Sequence, residues 1–186
     1  MQLATHIRPL ALLIVVLPWI GACDNKPAAT SNPSAASSAA GVEVPASLFV
    51  ESPPAEALYV REAKRDAAAG KALIVRGRIG GRKEPFVEGR AVFTLVDLRL
   101  KTCADNADDA CPTPWDYCCE PQKVLADHAM TVQIVDAGGQ PLKTGIRGAG
   151  GLTPMADIVV TGKLAGQSGP GHIVLNAERI YVASAN

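Results

Sequence analysis

From Gly70 onward the chain is a succession of short β-rich runs, each stopped by glycine or proline, with no long helical stretch between them. The runs are 72–79 (ALIVRGRI), 91–97 (AVFTLVD), 130–135 (MTVQIV), 157–164 (DIVVTGKL) and 172–176 (HIVLN), the last continuing to Tyr181 and Val182. Gly80–Gly81, the DAGG of 136–139 and the glycine cluster of 166–171 separate them. Five strands in about 110 residues predict an all-β chain that closes into a small barrel; the competing arrangement is an open β-sandwich.

Two of the runs carry an internal glycine, Gly77 in VRGRI and Gly162 in VVTGKL. Strand glycines permit the sharp coiling that a narrow barrel demands. With these motifs, residues 71–183 resemble an OB-fold. The resemblance implies a helix between the third and fourth strands. Only 147–156 (GAGGLTPMAD) is available for it, and that stretch predicts no more than a single turn. Ahead of the barrel, 54–69 is rich in helix formers, with Pro53 and Pro54 suited to its first turn and Gly70 to its stop. A short helix is expected there, within a lead-in of 47–70 to an OB-like barrel of 71–186.

The other end of the chain is an address. Residues 10–22 (LALLIVVLPWIGA) are thirteen apolar residues behind Arg8. A membrane-crossing helix needs roughly 20. A basic start, a short apolar middle and a small-residue end are the pattern of a secretory signal. The run closes on Ile20-Gly21-Ala22-Cys23, which resembles a bacterial lipobox. That resemblance implies cleavage after residue 22, acylation of the Cys23 sulfur, and a protein lipid-anchored in the cell envelope, facing the periplasm. Acyl chains supply about 0.8 kcal/mol per buried CH₂. Residues 24–46 are dominated by Ala, Ser and Pro without apolar periodicity, and predict a flexible tether.

The most unusual segment is 102–121, TCADNADDACPTPWDYCCEP. It holds Cys103, Cys111, Cys118 and Cys119, four of the chain's 5 cysteines. The segment is similar to one in uncharacterised bacterial lipoproteins that carry CPTPWDYCC, a resemblance that implies no activity. In an oxidising compartment an even number of cysteines predicts two disulfides. A Cys118–Cys119 bond would close a strained ring, which favours tying Cys103 and Cys111 each to one of the vicinal pair. The alternative is a metal or redox site on the four cysteines with His128, since thiolates suit Zn²⁺ or Cu⁺, and the carboxylates of Asp105, Asp108, Asp109 and Asp116 are close in sequence. Against it stand the C-x7-C-x6-C-C spacing, unlike that of zinc modules, and the lack of a C-x-x-C. Trp115 and Tyr117 either pack beneath this segment or offer an aromatic contact at the barrel mouth.

Charge is balanced overall, 18 basic against 18 acidic side chains, and aromatics are only 4%, which disfavours a nucleic-acid surface. The distribution is uneven. Residues 71–101 carry eight basic and three acidic side chains; residues 102–128 carry one basic and six acidic. Either the two segments neutralise each other, or Arg76, Arg78, Arg82 and Lys83 form a patch for an anionic ligand. Of the histidines outside the signal, His128 and His172, neither belongs to a hydrolase motif, and no phosphate-binding loop is present. The sequence therefore leads to a non-enzymatic binding or interaction module without a cofactor. Its expected contact surface is Arg78, Arg82, Lys83, Trp115 and Tyr117. Its expected partners are the membrane and an envelope protein or anionic ligand. A metal-handling or thiol-redox lipoprotein is the rival, and a purely structural envelope protein is a third possibility.

Overall fold

The structure is a computed structural model that describes residues 43–65, 67–106, 108, 110–169 and 171–183. The signal segment 1–22, Cys23 and most of the tether lie outside the described residues. Six strands form one sheet: β1 (Leu58–Tyr59), β2 (Ala72–Ile79), β3 (Val92–Val96), β4 (Ala129–Gln133), β5 (Asp157–Leu164) and β6 (Val174–Val182). Two short helices accompany them, α1 (Val60–Arg65) and α2 (Gln122–His128).

The sheet runs β2–β3–β4–β6–β5 and closes when β5 pairs antiparallel with β2, from Ala72 opposite Lys163 to Arg78 opposite Asp157. All barrel pairings are antiparallel except β4 with β6, which is parallel. This is the small closed barrel expected from the strand spacing, in the OB-like form that the resemblance implied, and the closure excludes an open sandwich. The short β1 adds a parallel edge strand alongside β2.

Alternation explains the core. Leu73, Val75 and Ile79 of β2 point inward, as do Phe93 and Leu95 of β3 and Ile158 and Val160 of β5. The two strand glycines sit where backbones come closest. A Cβ on Gly77 would lie 2.6 Å from the Leu95 side chain, and one on Gly162 would lie 2.1 Å from the Asn176 carbonyl oxygen. At Thr161/Gly162 the β5–β6 register also shifts, a bulge that bends the strand round the barrel.

Helix placement differs from expectation. The lead-in helix is only Val60–Arg65, because Glu56 turns with a positive φ of 58° and Leu58–Tyr59 is drawn into pairing with β2. The connection between the third and fourth barrel strands is indeed reduced to one 3-10 turn, Ala149–Gly151. The helix α2, which carried no helical signal beyond its seven residues, lies one connection earlier. Lys64 of α1 donates to the carbonyls of Ala126, near the end of α2, and of Ala129 just beyond it, satisfying acceptors that the helix leaves open. The end of the tether also joins the domain: Val44 packs on the core and Leu48 is buried.

Candidate functional site

The cysteine segment is seated on the end of β2. Gly80 and Gly81 admit it: a Cβ on Gly80 would come 2.5 Å from the Trp115 carbonyl oxygen and 3.1 Å from the Tyr117 ring. The Gly81 N–H donates to that same carbonyl at 2.7 Å, and the Trp115 indole N–H donates to the Lys83 carbonyl at 3.0 Å. Tyr117 is 1% exposed and packs with Val96 and Leu125 in a small second core, flanked by Leu100 and Ala129. A capping box between Thr102 and Asp105 starts the segment, with the Thr102 N–H and hydroxyl both donating to the Asp105 carboxylate.

On this frame the four cysteines converge, and no disulfide joins them. The Cys103 sulfur lies 3.7 Å from Cys118 and 3.7 Å from Cys119; Cys118 lies 3.7 Å from Cys111. Asp116 enters the same group, its Oδ1 4.0 Å from the Cys103 sulfur. The carboxylate is held there by the Thr113 hydroxyl at 2.8 Å and the Cys118 N–H at 2.9 Å. The ligand atoms of Cys103, Cys111, Asp116 and Cys118 all lie within 4.8 Å of one another. Tyr117, between two of these residues, has a left-handed backbone (φ 57°), unusual for an aromatic residue.

The electrostatics follow from these contacts. Burial raises the Cys103 thiol, but the Cys119 N–H and the neighbouring thiols outweigh it and hold Cys103 below its ordinary value. Cys118 is pushed up by its hydrogen-bonding contacts with the Cys103 and Cys111 sulfurs and the Asp116 carboxylate. Burial also works against the Asp116 carboxylate; the donors from Thr113 and Cys118, with the charge of Lys83, keep it low. Burial pushes the Tyr117 phenol up to about 12, and its hydroxyl is buried without a hydrogen-bond partner.

Beside the cysteine group opens a cleft of about 530 Å³. One wall is the β2–β3 loop with Gly81, Arg82 and Lys83; the floor is Thr94, Met130 and Thr131; the far wall is Gly171, His172 and Ile173 before β6. Asp116 and Cys118 reach it from the cysteine segment, and Gln122 and Leu125 from α2. A second cavity of about 290 Å³, on Lys101, Cys103, Tyr117 and Cys119, touches the group as well.

Of the expected contact residues, Arg82 and Lys83 are exposed at the cleft. Trp115 is half-buried and latches the loop rather than standing clear of it. Tyr117 takes the packing alternative and is not a contact residue: its ring fills the space under the segment. Arg78 is turned away into a two-bond pair with Asp157, 2.6 and 2.9 Å. His128 does not join the cysteines; its Nδ1 lies 2.8 Å from the Val124 carbonyl oxygen, one helical turn back. The basic and acidic segments attract across space, Lys83 acting on Asp116 and both Arg78 and Lys101 on Asp105. The ion pairs among the described residues run Arg78–Asp157, Arg99–Glu62, Arg99–Asp97, Lys123–Asp127, Arg147–Glu84 and Lys163–Glu178. Thr94, Thr131 and His172 were not in the expected site, and Asp116 was only one of four nearby carboxylates, none singled out as a ligand. Asp116 could have been found from its place between Trp115 and the cysteine pair, whereas the strand residues carry no local signal. Among the described residues no helix is long and apolar enough to cross a membrane. No protein-family model, curated protein or solved structure matches the chain.

Proposed function

We propose that this chain is a lipid-anchored protein of the bacterial cell envelope, tethered through Cys23, whose OB-like barrel is a non-enzymatic binding module for an anionic ligand. The observation that supports the binding reading is the cleft. It lies against the second and third barrel strands, between the first and last barrel loops, the position at which OB-type barrels take oligosaccharides and other polymers. Arg82 and Lys83 stand on its rim, and the ion pairs of the described residues do not use them. Two cations with side chains open to solvent attract an acidic ligand and steer its approach.

The anchor reading rests on the Ile20–Cys23 tetrapeptide and the short apolar run before it. Calorimetry of the full chain with an oligogalacturonate hexamer, an acidic glycan, tests the module. Saturable binding that weakens with salt, and falls tenfold or more in an Arg82→Ala/Lys83→Ala variant of unchanged Tm, is expected. No saturable binding, or binding indifferent to the double variant, overturns it. The anchor is tested separately by Cys23→Ala, which is expected to move the protein from the membrane fraction to the soluble fraction.

A further inference from the structure

The cysteine group has a geometry that two disulfides do not explain. A pair of disulfides needs two short sulfur contacts and longer ones between the pairs. Here Cys103 is equally near Cys118 and Cys119, and Cys118 is equally near Cys103 and Cys111, all at 3.7 Å. Zn–S bonds of about 2.3 Å at tetrahedral angles place sulfurs about 3.8 Å apart. A disulfide also has no use for a carboxylate, yet Asp116 is aimed at the sulfurs and fixed there by Thr113 and the Cys118 N–H. Such outer hydrogen bonds are how proteins orient a metal-bound carboxylate.

We infer that Cys103, Cys111, Cys118 and Asp116 form a four-coordinate Zn²⁺ site. Three sulfurs and one oxygen complete the tetrahedral shell, which makes the site structural rather than catalytic. The mixed donor set favours Zn²⁺ over Cu⁺, which prefers sulfur alone. Cys119, although its sulfur also lies 3.7 Å from Cys103, does not belong to the ligand atoms that all lie within 4.8 Å of one another, and is left out of the shell. On binding, the three thiols release three protons to solvent, Asp116 binds as carboxylate, and no redox change occurs. The ion would pin the cysteine segment on Gly80–Gly81. Through the Trp115–Lys83 hydrogen bond it would also hold the loop that carries Arg82 and Lys83 at the cleft. This inference stands independently of the anionic-ligand reading, because it needs no ligand in the cleft.

The test uses the full chain isolated from the cells that make it, without chelators, and measured before and after reduction. Native mass spectrometry is expected to show one zinc per chain. Replacement by Co²⁺ is expected to give the intense visible bands of a tetrahedral site with thiolate-to-cobalt charge transfer. Cys119→Ser keeps both signals; Asp116→Asn and Cys111→Ser weaken zinc on the order of 100-fold or more. These two side chains are half-buried, so they carry the test if the buried Cys103→Ser fails to fold. A mass four hydrogens below the reduced chain, with no metal taken up after reduction, overturns the site in favour of disulfides. Loss of Co²⁺ bands in Cys119→Ser, or their retention in Asp116→Asn at unchanged affinity, overturns the ligand set.

Discussion

Asp97 is the buried charge on which the end of the barrel is organised, and removing it has a calculable effect. Its side chain is fully buried at the end of β3. The carboxylate accepts the Arg61 N–H at 2.9 Å, the Arg99 N–H at 3.0 Å and two guanidinium N–H groups of Arg99 at 3.0 Å each. In Asp97→Ala two backbone donors lose their acceptor, at about 1–3 kcal/mol each. The Arg99 guanidinium is half-exposed, 46%, and is rehydrated, so its share is small. The expected loss is about 4 kcal/mol, within the range for breaking a buried pair, and Tm falls by about 10 °C or more. Urea unfolding followed by circular dichroism reads it, with Lys123→Ala as the control, since that exposed pair is worth at most about 0.5 kcal/mol. The pH dependence is a second arm. Burial works to raise the Asp97 carboxyl, but the Arg99 and Arg61 hydrogen bonds hold it below its ordinary value. A depressed folded value means that the stabilisation is complete above the unfolded carboxyl range near pH 4, and is lost as pH falls through the lower folded value. Wild-type stability should therefore drop below about pH 4 more steeply than that of the variant. A loss under about 1 kcal/mol at pH 7, or parallel acid limbs, would refute the reasoning.

Three further outcomes follow from the same contacts. Gly162→Ala places a methyl against the Asn176 carbonyl, and should lower stability by about 3 kcal/mol or leave the chain unfolded, read by Tm. Tyr117→Phe removes a buried hydroxyl that has no partner, so stability should hold or rise by up to about 1 kcal/mol; a loss above about 1 kcal/mol would reveal a bond to that oxygen. Gly80→Ala collides with the Trp115 carbonyl and should unseat the cysteine segment while the barrel persists, seen as changed Trp115 fluorescence with near-native far-ultraviolet dichroism.

All five barrel strands were legible as β-rich runs bounded by glycine or proline; only β2 and β5 write a clean two-residue alternation, β6 does not, and Gly77 and Gly162 marked the tight bends. The single turn at 149–151 was legible too, from its glycines. The helix α2 was not, since seven residues running straight into β4 offer too few turns for an apolar stripe and no glycine stop. Its stability comes from Leu125 packing on Tyr117 and Val96, a contact between distant parts of the chain. The lead-in helix was read too long for a similar reason: the edge of β2 claimed Leu58 and Tyr59 for pairing.

The candidate site divides along the same line. Composition and spacing alone determined that four cysteines and two aromatics crowd into one segment, and that Arg82 and Lys83 sit in a glycine-bounded loop. Only the tertiary structure decided that Asp116 joins three of those cysteines while His128 does not, that Tyr117 is core, and that Arg78 is spent on Asp157. Local residue types limit what chemistry a segment can carry. Which side chains meet depends on barrel closure, because pairing β5 with β2 brings Asp157 across to Arg78, and the Gly80–Gly81 end of β2 receives Trp115 and Tyr117 from a distant part of the chain.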